Sequence, residues 1–192
     1  MATGVDPKRW INLERVTVML LEQSDHGRKI ASQILRGFGI RDIHACRSMD
    51  EARAQTNSVQ LDLIIADPGA LNGQGMDFLR WLRRSEKNAN RFVPIILVSG
   101  HTTSAAVMLS RDAGANFFVA KPFTPKVLLE RIMYIARDKR PYVEAGKYIG
   151  PDRRWKGDGP PDGTPGRRNN DMNSEIDAIG ENSDNLNPAL HK

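Results

Sequence analysis

Five polar side chains of this sequence stand directly after short apolar runs, at the points where β-strands are predicted to end. The runs and the residues that follow them are 16–21 with Glu22 and Gln23, 61–66 with Asp67, 94–98 with Ser99, and 117–120 with Lys121. A carboxylate can accept a phosphoryl group, oxygen ligands can hold a divalent cation, and hydroxyl and ammonium groups can bind phosphoryl oxygens. Together these residue types suit phosphoryl transfer.

The elements that must position these side chains are predicted by hydrophobic spacing. Nearly continuous apolar runs indicate strands buried on both faces of a parallel sheet, and the segments between them carry apolar residues at helical spacing, as at Ile30, Ile34 and Leu35. Five such strands predict an α/β fold with a doubly wound five-stranded parallel sheet. Because the carboxyl ends of parallel strands share one edge, the polar side chains should meet there. A lone aspartate after a strand is commonly a turn or helix-cap residue, so the prediction rests on the joint placement.

Three helices of this scheme carry further sequence signals. Ser48 followed by Glu51 predicts a capping box, and Thr124 followed by a proline predicts an N-cap with proline at the first helical position. Met76, Phe78, Leu79 and Leu82 mark a third helix. Arg80, Arg83 and Arg84 lie on its other side, which is predicted to be solvated.

Composition divides the chain of 192 residues into three parts. Residues 1–14 are expected to form a flexible arm, residues 15–137 a single domain, and residues 138–192 a largely disordered tail. The tail is rich in Gly, Pro, Asn and Asp, and the stretch 137–168, which overlaps its first part, holds nine basic and five acidic residues. It includes a Gly-Pro-Asp-Arg-Arg segment at 150–154, which could contact an acidic or phosphorylated surface but is more simply a solvated linker.

Overall composition is that of a soluble, cytoplasmic protein. The single cysteine, Cys46, excludes an internal disulfide and is expected to be a buried core residue. Neither a signal peptide nor an apolar run long enough to span a membrane is found. The formal net charge of +5 permits an acidic partner but says nothing about the fold.

The residues at the strand ends resemble those of response-regulator receiver domains, the CheY-like family, over residues 15–137. Asp67 stands at the phosphoacceptor position, Ser99 at the switch hydroxyl, and Lys121, in a Lys-Pro-Phe sequence, at the family's lysine. Gly75 matches the glycine of the loop after the acceptor, and Phe118 the switch aromatic residue.

This resemblance implies a flavodoxin-like fold of five strands and five helices, and a signalling protein rather than an enzyme. It implies Mg²⁺ held near Glu22, Gln23, Asp67 and Gly69, and transfer of a phosphoryl group to Asp67 from a histidine kinase or histidine phosphotransfer protein. Because the tail lacks the apolar periodicity of an output domain, we expect a stand-alone receiver, part of a two-component phosphorelay, that signals by protein–protein contact.

Two departures from the family pattern bear on the metal. Receivers usually begin the site with two acidic residues, whereas here Glu22 is followed by Gln23. Losing one charge about 5 Å from the cation removes roughly 1–3 kcal/mol of attraction, or about five- to a hundredfold in Mg²⁺ affinity. The loop after Asp67 also lacks the usual proline four residues on, and Gly69 could offer only its carbonyl. His101, two residues after Ser99, is either a residue that tunes phosphoryl lifetime or a plain loop histidine.

Two other functions remain open from the sequence. The first is a phosphorylation-independent pseudo-receiver that acts as an adaptor, because Gln23 weakens the metal site. The second, less favoured, is nucleic-acid binding by the basic block 139–168, with Tyr142, Tyr148 and Trp155 available for base stacking.

Overall fold

The computed structural model describes residues 12–69 and 74–153, which form a five-stranded parallel sheet flanked by helices and followed by a two-stranded sheet. The elements in chain order are β1 (Thr17–Leu21), α1 (Asp25–Gly37), β2 (Asp42–Cys46), α2 (Met49–Ser58), β3 (Leu63–Ala66), α3 (Gly75–Arg84), β4 (Ile95–Ser99), α4 (Ser104–Asp112), β5 (Phe117–Ala120), α5 (Pro125–Ile135), β6 (Tyr142–Ala145) and β7 (Tyr148–Pro151). The strand order of the parallel sheet is β2-β1-β3-β4-β5. The predicted α/β fold is confirmed.

The three central strands are apolar because both of their faces are covered. β3 and β4 are buried along their whole length, and β1 is buried except at its first residue. The edge strands β2 and β5 mix buried, half-buried and exposed positions. The continuous runs in the sequence are thus the central strands of the sheet, as expected for parallel strands.

Two apolar layers hold the helices on the sheet. One face of the sheet packs with residues of α1 and α5, including Leu35, Leu128 and Ile132. The other packs with residues of α2 and α3, including Ala52, Phe78 and Leu82. Burying side chains of this size stabilises the fold by roughly 1.5–3 kcal/mol each.

Polar side chains fix the starts of four helices. Ser24, Ser48, Thr103 and Thr124 each accept a hydrogen bond from a backbone N–H in the first turn, at 3.2, 3.2, 3.2 and 3.4 Å. Such caps contribute about 1 kcal/mol each. The predicted capping box is formed only in half, because the Glu51 carboxylate accepts from the backbone N–H of Arg47 rather than from that of Ser48. That hydrogen bond lowers the pKa of Glu51 below its usual value.

The predicted domain boundaries need two corrections within the described residues. At the amino end, Leu13 is buried in the layer formed with α1 and α5, so the predicted arm is wrong at its last residues. At the carboxyl end, β6 and β7 form an antiparallel hairpin where disorder was predicted from residue 138. Residues 1–11 and 154–192 lie outside the described residues, so those parts of the arm and tail stay predictions.

Backbone packing explains why the hairpin is ordered in spite of its composition. A β-carbon on Gly114, which has a φ of 88°, would lie 2.2 Å from the Ile149 carbonyl oxygen, and one on Gly150 would lie 2.8 Å from the Gly114 Cα. The hairpin backbone therefore lies directly on the loop before β5. Only glycine permits so close an approach.

Polar contacts complete the docking of the hairpin. The Tyr142 hydroxyl donates to Asn116 Oδ1 at 3.0 Å, Arg91 forms an ion pair with Glu144 at 2.8 Å, and Arg153 forms one with Asp112 at 2.8 Å. These contacts could not be predicted from composition, since they join residues that are distant in the sequence.

Candidate functional site

The carboxyl ends of β1, β3 and β5 bring three of the predicted side chains together. Glu22 and Asp67 follow β1 and β3 directly, and Lys121 follows β5. Lys121 Nζ lies 2.6 Å from Glu22 Oε2 and 2.7 Å from Asp67 Oδ2. The expected convergence at this edge of the sheet is therefore present for these residues.

The charge of this cluster is partly balanced. Burial disfavours the Lys121 ammonium, but its hydrogen bonds to Asp67 and Glu22 and their negative charges outweigh burial, so the pKa of Lys121 is raised. Lys121 is accordingly a cation at neutral pH. It faces two carboxylates, which leaves one negative charge for a further cation or for a positively charged reaction partner.

Backbone groups hold the two carboxylates in place. Ser24 N–H donates to Glu22 Oε1 at 3.0 Å, and Gly69 N–H donates to Asp67 Oδ1 at 2.7 Å. Each carboxylate thus has one oxygen fixed by the loop that follows it and the other on Lys121. Asp67 Oδ2 is the oxygen on the ammonium side, where a phosphoryl group would be attracted.

The start of α3 lies tightly against the loop that follows β3. A β-carbon on Gly75 would come within 2.7 Å of the Asp67 carbonyl oxygen and 2.9 Å of the Pro68 Cα. The glycine predicted at this position therefore allows α3 to begin beside the loop. Residues 70–73 of that loop lie outside the described residues, and with them the position where the family's proline would stand.

Ser99 lies at the same edge, and its hydroxyl oxygen has a backbone partner in the loop after β4. It is buried, and its Oγ accepts a hydrogen bond from the His101 N–H at 3.1 Å. Its backbone carbonyl accepts from the Lys121 N–H at 2.8 Å, which ties the end of β4 to that of β5. The His101 side chain itself is exposed.

Phe118 and Gln23 differ in how far they are buried. Phe118 is half-buried in β5, beside Leu97 of β4, and packs against the apolar layer formed with α2 and α3. Gln23 is exposed.

The oxygen donors of the site are of the kind that Mg²⁺ prefers, so the residues fit this ion in chemical type. Glu22, Asp67, the Gln23 amide and the Gly69 carbonyl are the candidate ligands. In the ranges that the structure describes, however, no group of three or more acidic, histidine or cysteine residues could hold a metal ion. Gln23 supplies an amide at the position where the family pattern has a second acid.

One residue of the site was not anticipated from the sequence. Arg28, on the first turns of α1, donates to the carbonyl oxygens of Glu22 and Gln23, both at 2.8 Å, and forms an ion pair with Asp25. It therefore fixes the loop after β1. Its only signal was a basic residue four positions after the helix cap Ser24, which is too common to single out.

The structure also removes part of the nucleic-acid hypothesis. Tyr142 packs against Phe92 with ring centroids 5.4 Å apart, and the Tyr148 ring is covered by the Arg153 guanidinium at 3.8 Å. Both rings were expected to be free for base stacking and are instead part of the hairpin. Trp155 lies outside the described residues.

A comparison with protein families matches residues 18–133 to the response regulator receiver domain. The match covers more than half of the chain, and the chain belongs to this family. It is a receiver domain of the kind found in two-component signal transduction, a family in which phosphorylation and Mg²⁺ binding are typical.

Relatives are found among both one-domain and larger regulators. The chain is 25% identical over 115 residues to the chemotaxis protein CheY of Pseudomonas aeruginosa, covering 60% of this chain and 91% of CheY. It is 26% identical over 120 residues to the phosphate regulon transcriptional regulatory protein PhoB of Escherichia coli, covering 62% of this chain. The chain spans only about half the length of PhoB, 51%.

Solved structures agree with this fold. The chemotaxis response regulator CheY4 of Vibrio cholerae superimposes with a TM-score of 0.57 at 23% identity, covering 62% of this chain and 98% of CheY4. The receiver domain of HemR from Leptospira biflexa gives 0.57 at 19% identity, covering 67% and 100%. The β6–β7 hairpin lies beyond the residues that the family match covers. No helix in the described ranges is both long and apolar enough to cross a membrane.

Proposed function

We propose that the chain is a stand-alone response regulator that accepts a phosphoryl group on Asp67 from a histidine kinase or a histidine phosphotransfer protein, and that it signals by protein–protein contact. The observation that carries the proposal is the pair of hydrogen bonds from Lys121 Nζ to Asp67 Oδ2 and Glu22 Oε2. A nucleophilic carboxylate, a second acid and a protonated lysine then share one edge of the sheet.

The transfer needs few protein groups. Asp67 Oδ2 attacks phosphorus, an O–P bond forms, and the P–N bond of the donor phosphohistidine breaks, so that the electron pair leaves with the imidazole. The Lys121 ammonium, released from Asp67 Oδ2, donates to a phosphoryl oxygen. A bound Mg²⁺ would neutralise phosphoryl charge between Glu22, Gln23 and Asp67.

Ser99 and Phe118 are proposed to transmit the phosphorylation of Asp67 to the rest of the domain. The Ser99 hydroxyl, whose oxygen accepts from the His101 N–H, would donate its proton in a hydrogen bond to a phosphoryl oxygen, and Phe118 would change its packing. A decisive change in partner affinity requires about 5.5 kcal/mol of difference between the two states, which these contacts must supply. α4, which follows Ser99, exposes Met108 and Leu109 by 61% and 52%, so a protein partner has apolar surface to contact.

Intact-mass measurement tests the phosphorylation directly. The protein is incubated with Mg²⁺ and acetyl phosphate, and we expect a single phosphoryl adduct on the wild type and on Asp50→Asn, an exposed control on α2. Asp67→Asn should show none, because the carboxylate nucleophile is lost. An adduct of equal yield on Asp67→Asn would overturn the assignment.

A second candidate function follows from Gln23. With two carboxylates at the site, both bonded to Lys121, metal binding is weakened, and the chain would act as a pseudo-receiver whose partner contacts do not depend on phosphorylation. This candidate predicts that Gln23→Asp gains about five- to a hundredfold in Mg²⁺ affinity. Gln33→Asp, an equal charge change on the exposed side of α1, serves as the control.

Isothermal titration with Mg²⁺ compares the three proteins. The pseudo-receiver hypothesis is contradicted if the wild type already binds Mg²⁺ as tightly as Gln23→Asp, because Gln23 then does not weaken the metal site. It gains support if only Gln23→Asp both binds the ion and accepts a phosphoryl group.

A further inference from the structure

The amino-terminal edge of the sheet, opposite Asp67, carries a small cationic cleft between α3 and the hairpin. Its volume is about 40 Å³, and it is lined by Arg80, Arg83, Arg84, Asp112, Ala113, Lys147 and Ile149. The hairpin contributes two of these residues, so the cleft exists only because residues 142–151 are folded onto the domain. Four cations and one carboxylate face the same space.

Arg83 is the unusual member of this set. The sequence placed it on a solvated helix face, and this was wrong, because it is 1% exposed. Its guanidinium donates to the Gly114 carbonyl at 3.2 and 3.0 Å and to the Arg91 carbonyl at 2.6 Å, and it lies 5.2 Å from the ring centroid of Tyr142. These partners are all neutral.

A buried cation with neutral partners lacks a counter-charge. Among the described residues no carboxylate forms an ion pair with Arg83, while Arg80 and Arg91 beside it each have one. Burial lowers the pKa of Arg83, with the hydroxyls of Tyr142 and Tyr148 acting in the opposite direction. A guanidinium nevertheless stays charged at neutral pH, and leaving such a charge uncompensated inside a protein is costly.

Two further cations of the cleft are not neutralised either. Arg84 and Lys147 are exposed and form no ion pair within the part of the chain that the structure describes. Asp112, the one acid of the lining, is already paired with Arg153 at 2.8 Å. The cleft therefore keeps an excess of positive charge that no described side chain balances.

We propose that this cleft binds the phosphate group of a small phosphomonoester, with Arg84 and Lys147 as the direct ligands and Arg83 as a buried charge behind them. A phosphate group carries up to two negative charges at neutral pH and accepts paired N–H bonds from a guanidinium. The small volume admits one compact anionic group rather than an extended ligand. The site is separate from Asp67, because helices of a parallel α/β fold end at the edge opposite the carboxyl ends of the strands.

A titration of the full chain followed by ¹H–¹⁵N NMR tests this proposal. It uses inorganic phosphate and phosphoserine as probes, without Mg²⁺ or a phosphoryl donor, so that failure here leaves the phosphorylation of Asp67 untouched. We expect saturable shifts of the Gly114 and Gly146 amides and of the Arg83 Nε–H, with a Kd on the order of 1 mM or tighter. Chloride at the same ionic strength should not reproduce them.

Matched double variants distinguish phosphate binding in this cleft from nonspecific electrostatic attraction of phosphate to the protein. The double variant R84Q/K147Q should raise the Kd at least tenfold, whereas K29Q/R36Q, which removes the same charge from exposed positions of α1, should leave it within about twofold. Phosphoserine binding at least as tightly as inorganic phosphate supports the phosphomonoester. Binding of inorganic phosphate alone, equal weakening in both double variants, or shifts equal to those with chloride would overturn the proposal.

Discussion

Charge balance among single residues governs the candidate site. Lys121 holds Glu22 and Asp67 together, and replacing the expected second acid by Gln23 leaves one uncompensated negative charge instead of two. Residue 23 is therefore the position that decides between a fully active receiver and a pseudo-receiver. Both alternatives keep the same backbone, so they are distinguished by metal affinity and phosphoryl acceptance, not by fold.

A prediction at the residue scale concerns Cys46. Burial, together with the nearby Glu51 charge, raises the pKa of its thiol from 9.0 to about 11. A raised pKa of an acidic group means that the folded state keeps its proton when the unfolded state loses it. The contribution of the protonated Cys46 thiol to the free energy of unfolding is therefore fully present below about pH 9 and is lost as the pH rises to about 11.

Urea unfolding at pH 8 and pH 11 measures this contribution. We expect the wild type to lose about 2–3 kcal/mol more than Cys46→Ala over that interval, which corresponds to two pKa units. Lys121 and Tyr142 also have raised pKa values, but both proteins contain them, so the difference isolates Cys46. Equal losses in the two proteins would show that the thiol is not buried as described.

At the scale of elements, the β6–β7 hairpin is the part of the fold that sequence reasoning missed. Its two strands are joined by the two-residue loop Gly146-Lys147, and Gly146 has a φ of 60°, as the first loop position of a type II′ turn requires. That signal was present in the sequence. It was outweighed by the surrounding Gly, Pro and charged residues, which suggested disorder.

Docking of the hairpin leads to a prediction with a built-in comparison. Gly150→Ala places a β-carbon 2.8 Å from the Gly114 Cα and 2.6 Å from the Tyr148 hydroxyl, so the hairpin must shift. We expect a loss of about 1–3 kcal/mol in the free energy of unfolding, as for other overpacked sites. Gly37→Ala, where nothing lies within 4 Å of the new β-carbon, should instead gain about 0.4–1 kcal/mol.

Urea unfolding of the full chain reads out both changes. A neutral effect of Gly150→Ala would mean that the hairpin does not rest on the loop before β5. The Gly37→Ala variant shows that the comparison responds to a glycine substitution in the expected direction.

Across the whole molecule, the features that follow from hydrophobic spacing along the chain were predicted from the sequence. The features that depend on particular tertiary contacts were not. Buried strands such as β3 and β4 are continuous apolar runs, so the sheet, its parallel sense and the meeting of Asp67 with Lys121 followed from hydrophobic spacing. The burial of Arg83 did not follow, because it depends on a hairpin some sixty residues later in the chain. Nor did the hydrogen bond of Ser99 to His101, which is set by the loop after β4.

The molecule thus uses the two edges of its sheet differently. The carboxyl edge carries the acidic site around Asp67, and the amino edge carries the hairpin and the cationic cleft around Arg83. The two are testable separately, since their variants share no residue.

Chemical trapping determines whether residue 67 is the phosphoacceptor. The phosphorylated protein is reduced with borohydride, which converts an acyl phosphate of aspartate to homoserine, and the modified residue is located by peptide sequencing. We predict homoserine at position 67. Homoserine at another aspartate such as Asp62 or Asp77, or at none after incubation with Mg²⁺ and a phosphoryl donor, would contradict it.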